Sequence, residues 1–156
     1  MKIERKAAFD GQLDRFSTPL FQIAALCLRD GERGQDVLLI TSSEKRWILP
    51  KGWPMDGKSD AEAAAIEAWE EAGVTAKEVA DAPITRLVTT KDVGGARPLP
   101  CQMDVYRIDV AELRDDFPEA HKRERKWVPL CKAADLVEDP ALKSFLAGLW
   151  GRQTFK

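Results

Sequence analysis

Apolar residues fill FQIAALCLRD, residues 21–30, with too few polar interruptions for a strand exposed on one side. The pattern predicts a buried β-strand that ends at the turn DGERGQ. DVLLITSS reads as its antiparallel partner in a hairpin, and RWILP as a short strand stopped by Pro50. After the loop KGWPMDGKSD the period changes from strand-like to helical. Ala61, Ala64, Ala65, Ala68 and Ala72 fall on one narrow stripe. Ser59 with Glu62 three residues on forms a capping box, and Gly73 suits the left-handed residue that closes a helix. A helix over about 60–72 is expected, its small face against a close-packed neighbour. ITRLVTT and CQMDVYRIDV then read as strands joined by KDVGGARPLP. The charged loop AELRDDFPEAHKRER leads to a short strand, KWVPL, and the chain ends in two helical pieces broken before Pro140. Strands, helix, strands, helix is the order of a mixed α/β domain rather than a regular βαβ repeat. That single domain is expected over 1–156, with residues 1–19 as an N-terminal arm.

Composition narrows the class. The chain has 156 residues, 44% of them hydrophobic and 32% charged, which suits one soluble globular domain. A net charge of -2 and a pI near 5.6 argue against nucleic acid as the ligand. Any attraction to anions must come from local basic patches. Cys27, Cys101 and Cys131 are scattered and form no C-x-x-C pair, so a reducing, cytoplasmic compartment is expected. The opening MKIERKAAFDGQLDRF has no apolar core of signal-peptide length, and LFQIAALCL is too short to span a bilayer.

The chemistry gathers in AIEAWEEAGV, residues 65–74. Glu67, Glu70 and Glu71 lie on one turn with no cation between them, although like charges at this spacing repel. On a helical wheel they oppose the alanine stripe and can converge on one point. Converging carboxylates suit a hard divalent cation such as Mg²⁺ or Mn²⁺. A solvated acidic helix face is the competing reading.

The wider frame resembles the Nudix box, whose pattern is Gly, five residues, Glu, seven residues, Arg-Glu-aliphatic-x-Glu-Glu-x-Gly-aliphatic. GWPMDGKSDAEAAAIEAWEEAGV, residues 52–74, keeps that spacing without a gap, and Gly52, Glu67, Glu70, Glu71, Gly73 and Val74 match it. Two positions depart: Lys58 replaces the first glutamate and Ile66 the arginine. The resemblance covers about 21–149, and AALCLRD, VLLITSSEKRWILPKGW and KRERKWVPL look most like the diphosphoinositol polyphosphate and diadenosine polyphosphate phosphohydrolase branch. It implies an α/β/α sandwich, with a mixed sheet between the box helix and the C-terminal helix. It also implies metal-dependent hydrolysis of a pyrophosphate bond in a polyphosphate of that kind. Glu70 and Glu71 are then the main metal ligands, Glu67 is ligand or general base, and the Gly52 carbonyl is a further ligand. Asp104, Glu112, Asp115, Asp116 and Glu119 are candidates for one more acidic ligand. An ADP-ribose, NADH or nucleoside triphosphate pyrophosphatase is the alternative enzyme. Lys58 and Ile66 also leave open a non-catalytic sensor of a phosphate ligand.

Basic residues supply the expected phosphate contacts. His121, Lys122, Arg123, Arg125 and Lys126 crowd the approach to KWVPL, Arg46 and Lys51 lie beside the box, and Lys91 and Arg97 flank a loop. Trp53 is the stacking candidate among the five tryptophans, with Trp47, Trp69, Trp127 and Trp150 expected to pack. The partner is therefore a small phosphorylated molecule, with no membrane involved, and a homodimer is left open.

Overall fold

A computed structural model describes residues 20–91 and 97–153; the expected arm over 1–19 lies outside the described residues. Strands β1 (Leu20–Gly31) and β2 (Gly34–Thr41) form the predicted hairpin. Two short strands follow, β3 (Trp47–Ile48) and β4 (Lys51–Gly52), and then helix α1 (Asp60–Ala72). Next come β5 (Val74–Val79), β6 (Thr85–Lys91), β7 (Leu99–Leu113) and β8 (Arg125–Pro129). Helices α2 (Leu130–Leu136) and α3 (Pro140–Gln153) complete the order. The mixed sheet runs β3-β2-β1-β7-β5, with β4 on β1, β6 on β7 and β8 on β2.

Strand β1 is buried from Leu20 to Leu28 and, but for Gln22, apolar there because both its faces are covered, whereas Arg29, Asp30 and Gly31 are exposed. Ile23, Ala25 and Cys27 pack with Ala63, Ala64, Ala68 and Ala72 of α1. Ala24, Leu26 and Leu28 pack on the opposite face with Ala133, Leu142, Leu146 and Leu149 of α2 and α3. The α/β/α sandwich expected from the box is thus present, with α1 and the C-terminal helices on opposite sides of the sheet.

Three features differ from the sequence expectation. RWILP yields only the two residues of β3, and the chain resumes as β4 after Pro50, whose carbonyl accepts the Ala25 N–H at 2.9 Å. Strand β5 has no alternating pattern to announce it, because it is largely exposed and pairs irregularly with the end of β7. The central contact, β1 parallel to β7 from Leu20↔Cys101 to Leu28↔Asp109, joins segments about eighty residues apart and has no local signature.

Helix α1 ends as its sequence requires. Gly73 has φ 70° and ψ 25°, and its N–H bonds to the carbonyls of Ala68 and Trp69. A Cβ there would meet the Arg114 carbonyl oxygen at 2.5 Å. Gly73→Ala is expected to lower unfolding free energy by about 1–3 kcal/mol, from left-handed strain plus that clash. Chemical denaturation measures it, and a loss below about 0.5 kcal/mol would contradict it.

Candidate active site

Helix α1 carries the capping box in full: the Ser59 side chain accepts from the Glu62 N–H, and the Glu62 carboxylate accepts from the Ser59 N–H at 2.8 Å. Its buried face differs from the alanine stripe read on the wheel. Ala63, Ala64, Glu67, Ala68, Glu71 and Ala72 are buried, whereas Ala61 and Ala65 are only partly so. Glu67 is 3% exposed and Glu71 8%, so two of the three carboxylates enter the protein beside the alanines instead of opposing them. Glu70 is half-buried. Among the described residues no three His, Cys, Asp or Glu side chains are already gathered into a metal-binding group. Each residue turns the helix by about 100°, so Glu71 falls about 40° to one side of Glu67 and Glu70 about 60° to the other.

Strand β4 meets these carboxylates. The Glu67 carboxylate occupies the place where a side chain on Gly52 would begin. The Lys51 N–H donates to Glu71 Oε1 at 3.1 Å. From the approach to β8, Arg123 Nη2 lies 3.4 Å from Glu71 Oε2, Nε donates to Glu119 Oε1 at 2.9 Å, and Nη1 donates to the Thr41 carbonyl at 2.9 Å. Burial raises the Glu71 carboxyl from 4.5 to about 7. Arg123 and the Lys51 N–H oppose that rise, and the charges of Glu67 and Glu119 add to it.

Of the five acids expected to supply a further ligand, Glu119 is the one joined to Glu71, through their shared arginine. Asp104 is buried against Arg86 and Gln102, Glu112 pairs with Arg114, and Asp115 pairs with Arg125.

A cleft of about 840 Å³ opens beside Glu71. Four of the expected phosphate contacts line it: Arg46, Lys51, Lys91 and Arg123. Burial and the neighbouring Lys91 hold the Lys51 ammonium below its ordinary range. Arg46 is exposed and lies 3.6 Å from Glu138 and 3.7 Å from Glu44. The Lys91 ammonium stands 5.8 Å from the Trp53 ring centroid, which brings Trp53 to the rim rather than into the lining. His121 and Lys122 are exposed outside the lining, and Arg125 turns to the end of α1. Gln22, Ser42, Thr89, Thr90, Trp47 and Asp139 also line the cleft, and sequence reasoning missed them as site residues. They are brought together only by sheet order and by the loop before α3. Lys58 is exposed, and its charge favours the ionised form of Glu62 at the far end of α1.

The NUDIX domain family matches residues 20–149, most of the chain. The chain belongs to the Nudix hydrolase family. Nudix hydrolase 12, mitochondrial, of Arabidopsis thaliana is 31% identical over 124 residues, spanning 71% of this chain and 58% of that one. Diphosphoinositol polyphosphate phosphohydrolase 3-beta of Homo sapiens is 34% identical over 119 residues, spanning 74% of this chain and 67% of that one. This Nudix chain therefore covers somewhat over half the length of the Arabidopsis relative. An Ap4A hydrolase from C. elegans, solved as a binary complex, shares the fold at TM-score 0.60 and 18% identity. The match covers 88% of this chain and 99% of that one. The Nudix hydrolase RenU from M. smegmatis does so at TM-score 0.59 and 23% identity, covering 91% of each chain. Among the described residues no helix is long and apolar enough to cross a membrane.

Proposed function

We propose that this chain hydrolyses a pyrophosphate bond in a small polyphosphate, with a diadenosine polyphosphate as the first candidate substrate. The observation that carries the reading is the cleft in which a buried, high-pKa carboxylate, Glu71, meets Lys51, Lys91 and Arg123. A pyrophosphate repels an incoming nucleophile until its own charge is neutralised. Burial and then the charge of Lys91 lower the affinity of Lys51 for its proton, and a phosphate beside Lys51 relieves that penalty. One carboxylate of the set Glu67, Glu70 and Glu71 accepts the proton of the attacking water, a role that typically contributes about 10²–10⁴-fold.

A hard divalent cation, Mg²⁺ or Mn²⁺, fits this donor set. The donors are oxygens, and burial together with the neighbouring charges of Glu67 and Glu119 raises the Glu71 carboxyl, a cost that a cation beside it would relieve. Glu67, Glu70, Glu71 and the Gly52 carbonyl would hold it. Bound there, such an ion neutralises phosphate oxygens and acidifies water.

Charge in the cleft supports a dinucleotide. Among the described lining residues, Arg46, Lys51, Lys91 and Arg123 are offset by Glu44, Glu138, Asp139 and, when ionised, Glu71. A densely phosphorylated inositol would meet no large excess of cations among these residues. The activity for which the human relative is named nevertheless keeps a diphosphoinositol polyphosphate as the second reading. The distance of Lys58 from the carboxylate end of α1 supports catalysis over a purely sensing role. We place the protein in the cytoplasm on its cysteine pattern.

Phosphate and nucleotide release is the test, with Mg²⁺ or Mn²⁺ and a panel of diadenosine polyphosphates, diphosphoinositol polyphosphates, ADP-ribose, NADH and nucleoside triphosphates. Turnover of diadenosine polyphosphates, lost in Glu70→Gln, is expected. Ligand binding without turnover of any class would overturn the reading in favour of a sensor.

Stability carries a second signature. Between about pH 5 and pH 7 folded Glu71 keeps a proton that the unfolded chain releases, so the metal-free protein loses stability as pH rises, by up to about 3 kcal/mol. A cation bound to ionised Glu71 counters that loss. Mg²⁺ is therefore expected to raise Tm by more at about pH 8 than at about pH 5.5, and calorimetry showing an equal rise at both would contradict it.

A further inference from the structure

The sequence groups Arg125 with the phosphate-binding cations, but its guanidinium is committed elsewhere. Nη1 donates to the Ala72 carbonyl at 3.0 Å and to the Arg114 carbonyl at 2.8 Å, and Nη2 pairs with Asp115 at 3.0 Å. The guanidinium carbon stands 4.8 Å from the Phe117 ring centroid. Arg125 does not line the cleft.

Its position answers an electrostatic difficulty in α1. The C-terminal end of a helix carries partial negative charge and favours cations. Helix α1 instead ends in Glu67, Glu70 and Glu71 and has no basic residue in its last turn. Two backbone bonds from the segment that follows β7 help to hold that end: the Arg114 N–H donates to the Gly73 carbonyl at 2.8 Å and the Glu119 N–H to the Glu70 carbonyl at 3.0 Å. Arg125 adds the positive charge, its side chain 20% exposed and its Nη1 donating to the Ala72 carbonyl at the end of the helix. Winding of this turn sets where Glu70 and Glu71 point.

We infer that Arg125 is a positioning residue that holds the last turn of α1, and with it Glu70 and Glu71, in working order without touching the phosphate. The inference rests on the hydrolase reading above, and deepens it with a residue outside the box. Positioning and phosphate contact separate in kinetics: a lost phosphate contact raises KM, whereas misplaced catalytic carboxylates lower kcat.

The experiment pairs steady-state kinetics on the best substrate of the panel with amide hydrogen exchange of residues 70–73, for the parent, Arg125→Ala and Arg125→Lys. Exchange in Arg125→Ala is expected to speed up about tenfold or more, kcat to fall about tenfold, and KM to stay within about twofold, well below its melting temperature. Arg125→Lys should recover part of both losses, since it restores the charge but not the paired donors. Unchanged exchange, a raised KM at constant kcat, or faster exchange with unaltered kcat would each overturn the inference. If Arg125→Ala does not fold, the same comparison on Arg125→Lys decides. If the parent turns over nothing, the hydrolase reading fails, and exchange alone decides whether Arg125 holds the turn.

Discussion

Glu71→Gln is expected to lower kcat by about 10²–10⁴-fold while leaving the protein folded and, above neutral pH, no less stable. The two halves of this expectation have one cause. Burial pushes the Glu71 carboxyl up to about 7 despite the Arg123 guanidinium and the Lys51 N–H, so its surroundings disfavour the charge on balance. Glutamine has nearly the same shape, keeps an oxygen to accept the Lys51 N–H bond, and removes the buried charge. In the metal-free protein near pH 8 its Tm should therefore equal or exceed that of the parent. What glutamine cannot do is take a proton or present an anionic oxygen to a cation. Sites of this kind commonly sacrifice stability for activity, and the substitution should reverse that exchange. Kinetics and calorimetry on the same preparation test it. A kcat within a few-fold of the parent would remove Glu71 from the chemistry, and a large fall in Tm would show that its charge is structural.

Gly52→Ala should damage the site more than the fold. A Cβ at residue 52 falls on the Glu67 carboxylate, which is 3% exposed and packed between β4 and α1. The nearest atoms are the end of a side chain, so Glu67 can yield where backbone could not, and the expected stability loss is only about 1–3 kcal/mol. The carboxylate must move to yield, and misplacing a catalytic group by about 1 Å can cost about 10²-fold in rate. The expected result is kcat reduced by about 10- to 100-fold with a small shift of the denaturation midpoint. Full activity would mean that the Glu67 position is not critical. Loss of folding would mean that the contact belongs to the core. Gly73→Ala provides the contrast, because there the added Cβ meets the Arg114 backbone carbonyl and stability should suffer first.

Much of α1 is legible in the order of its residues. Ser59, Glu62 and Gly73 mark its ends through bonds made within a few residues, and the helix runs over the expected 60–72. The β1–β2 hairpin and the break before Pro140 are equally legible, because a tight turn and a missing N–H are local facts. The helical wheel fails on which face is buried. It ranks residues by hydrophobicity, and Glu67 and Glu71 are drawn inward by β4, where Gly52 leaves room for one and the Lys51 N–H meets the other.

The run HKRERK shows the same division. By composition it is one basic cluster, yet strand geometry and the loop before it disperse the charges. His121 and Lys122 remain in solvent, Arg123 reaches Glu71 and the cleft, and Arg125 reaches the end of α1. Residue order alone suffices for the helix, its caps, the buried strand and the spacing of the carboxylates, since each rests on contacts within a few residues or on a short apolar period. Packing between distant segments settles the rest: that β1 and β7 run parallel, which acids turn inward, and which arginine meets them. The energies of those contacts belong to pairs of residues far apart in the chain, and no local pattern contains them.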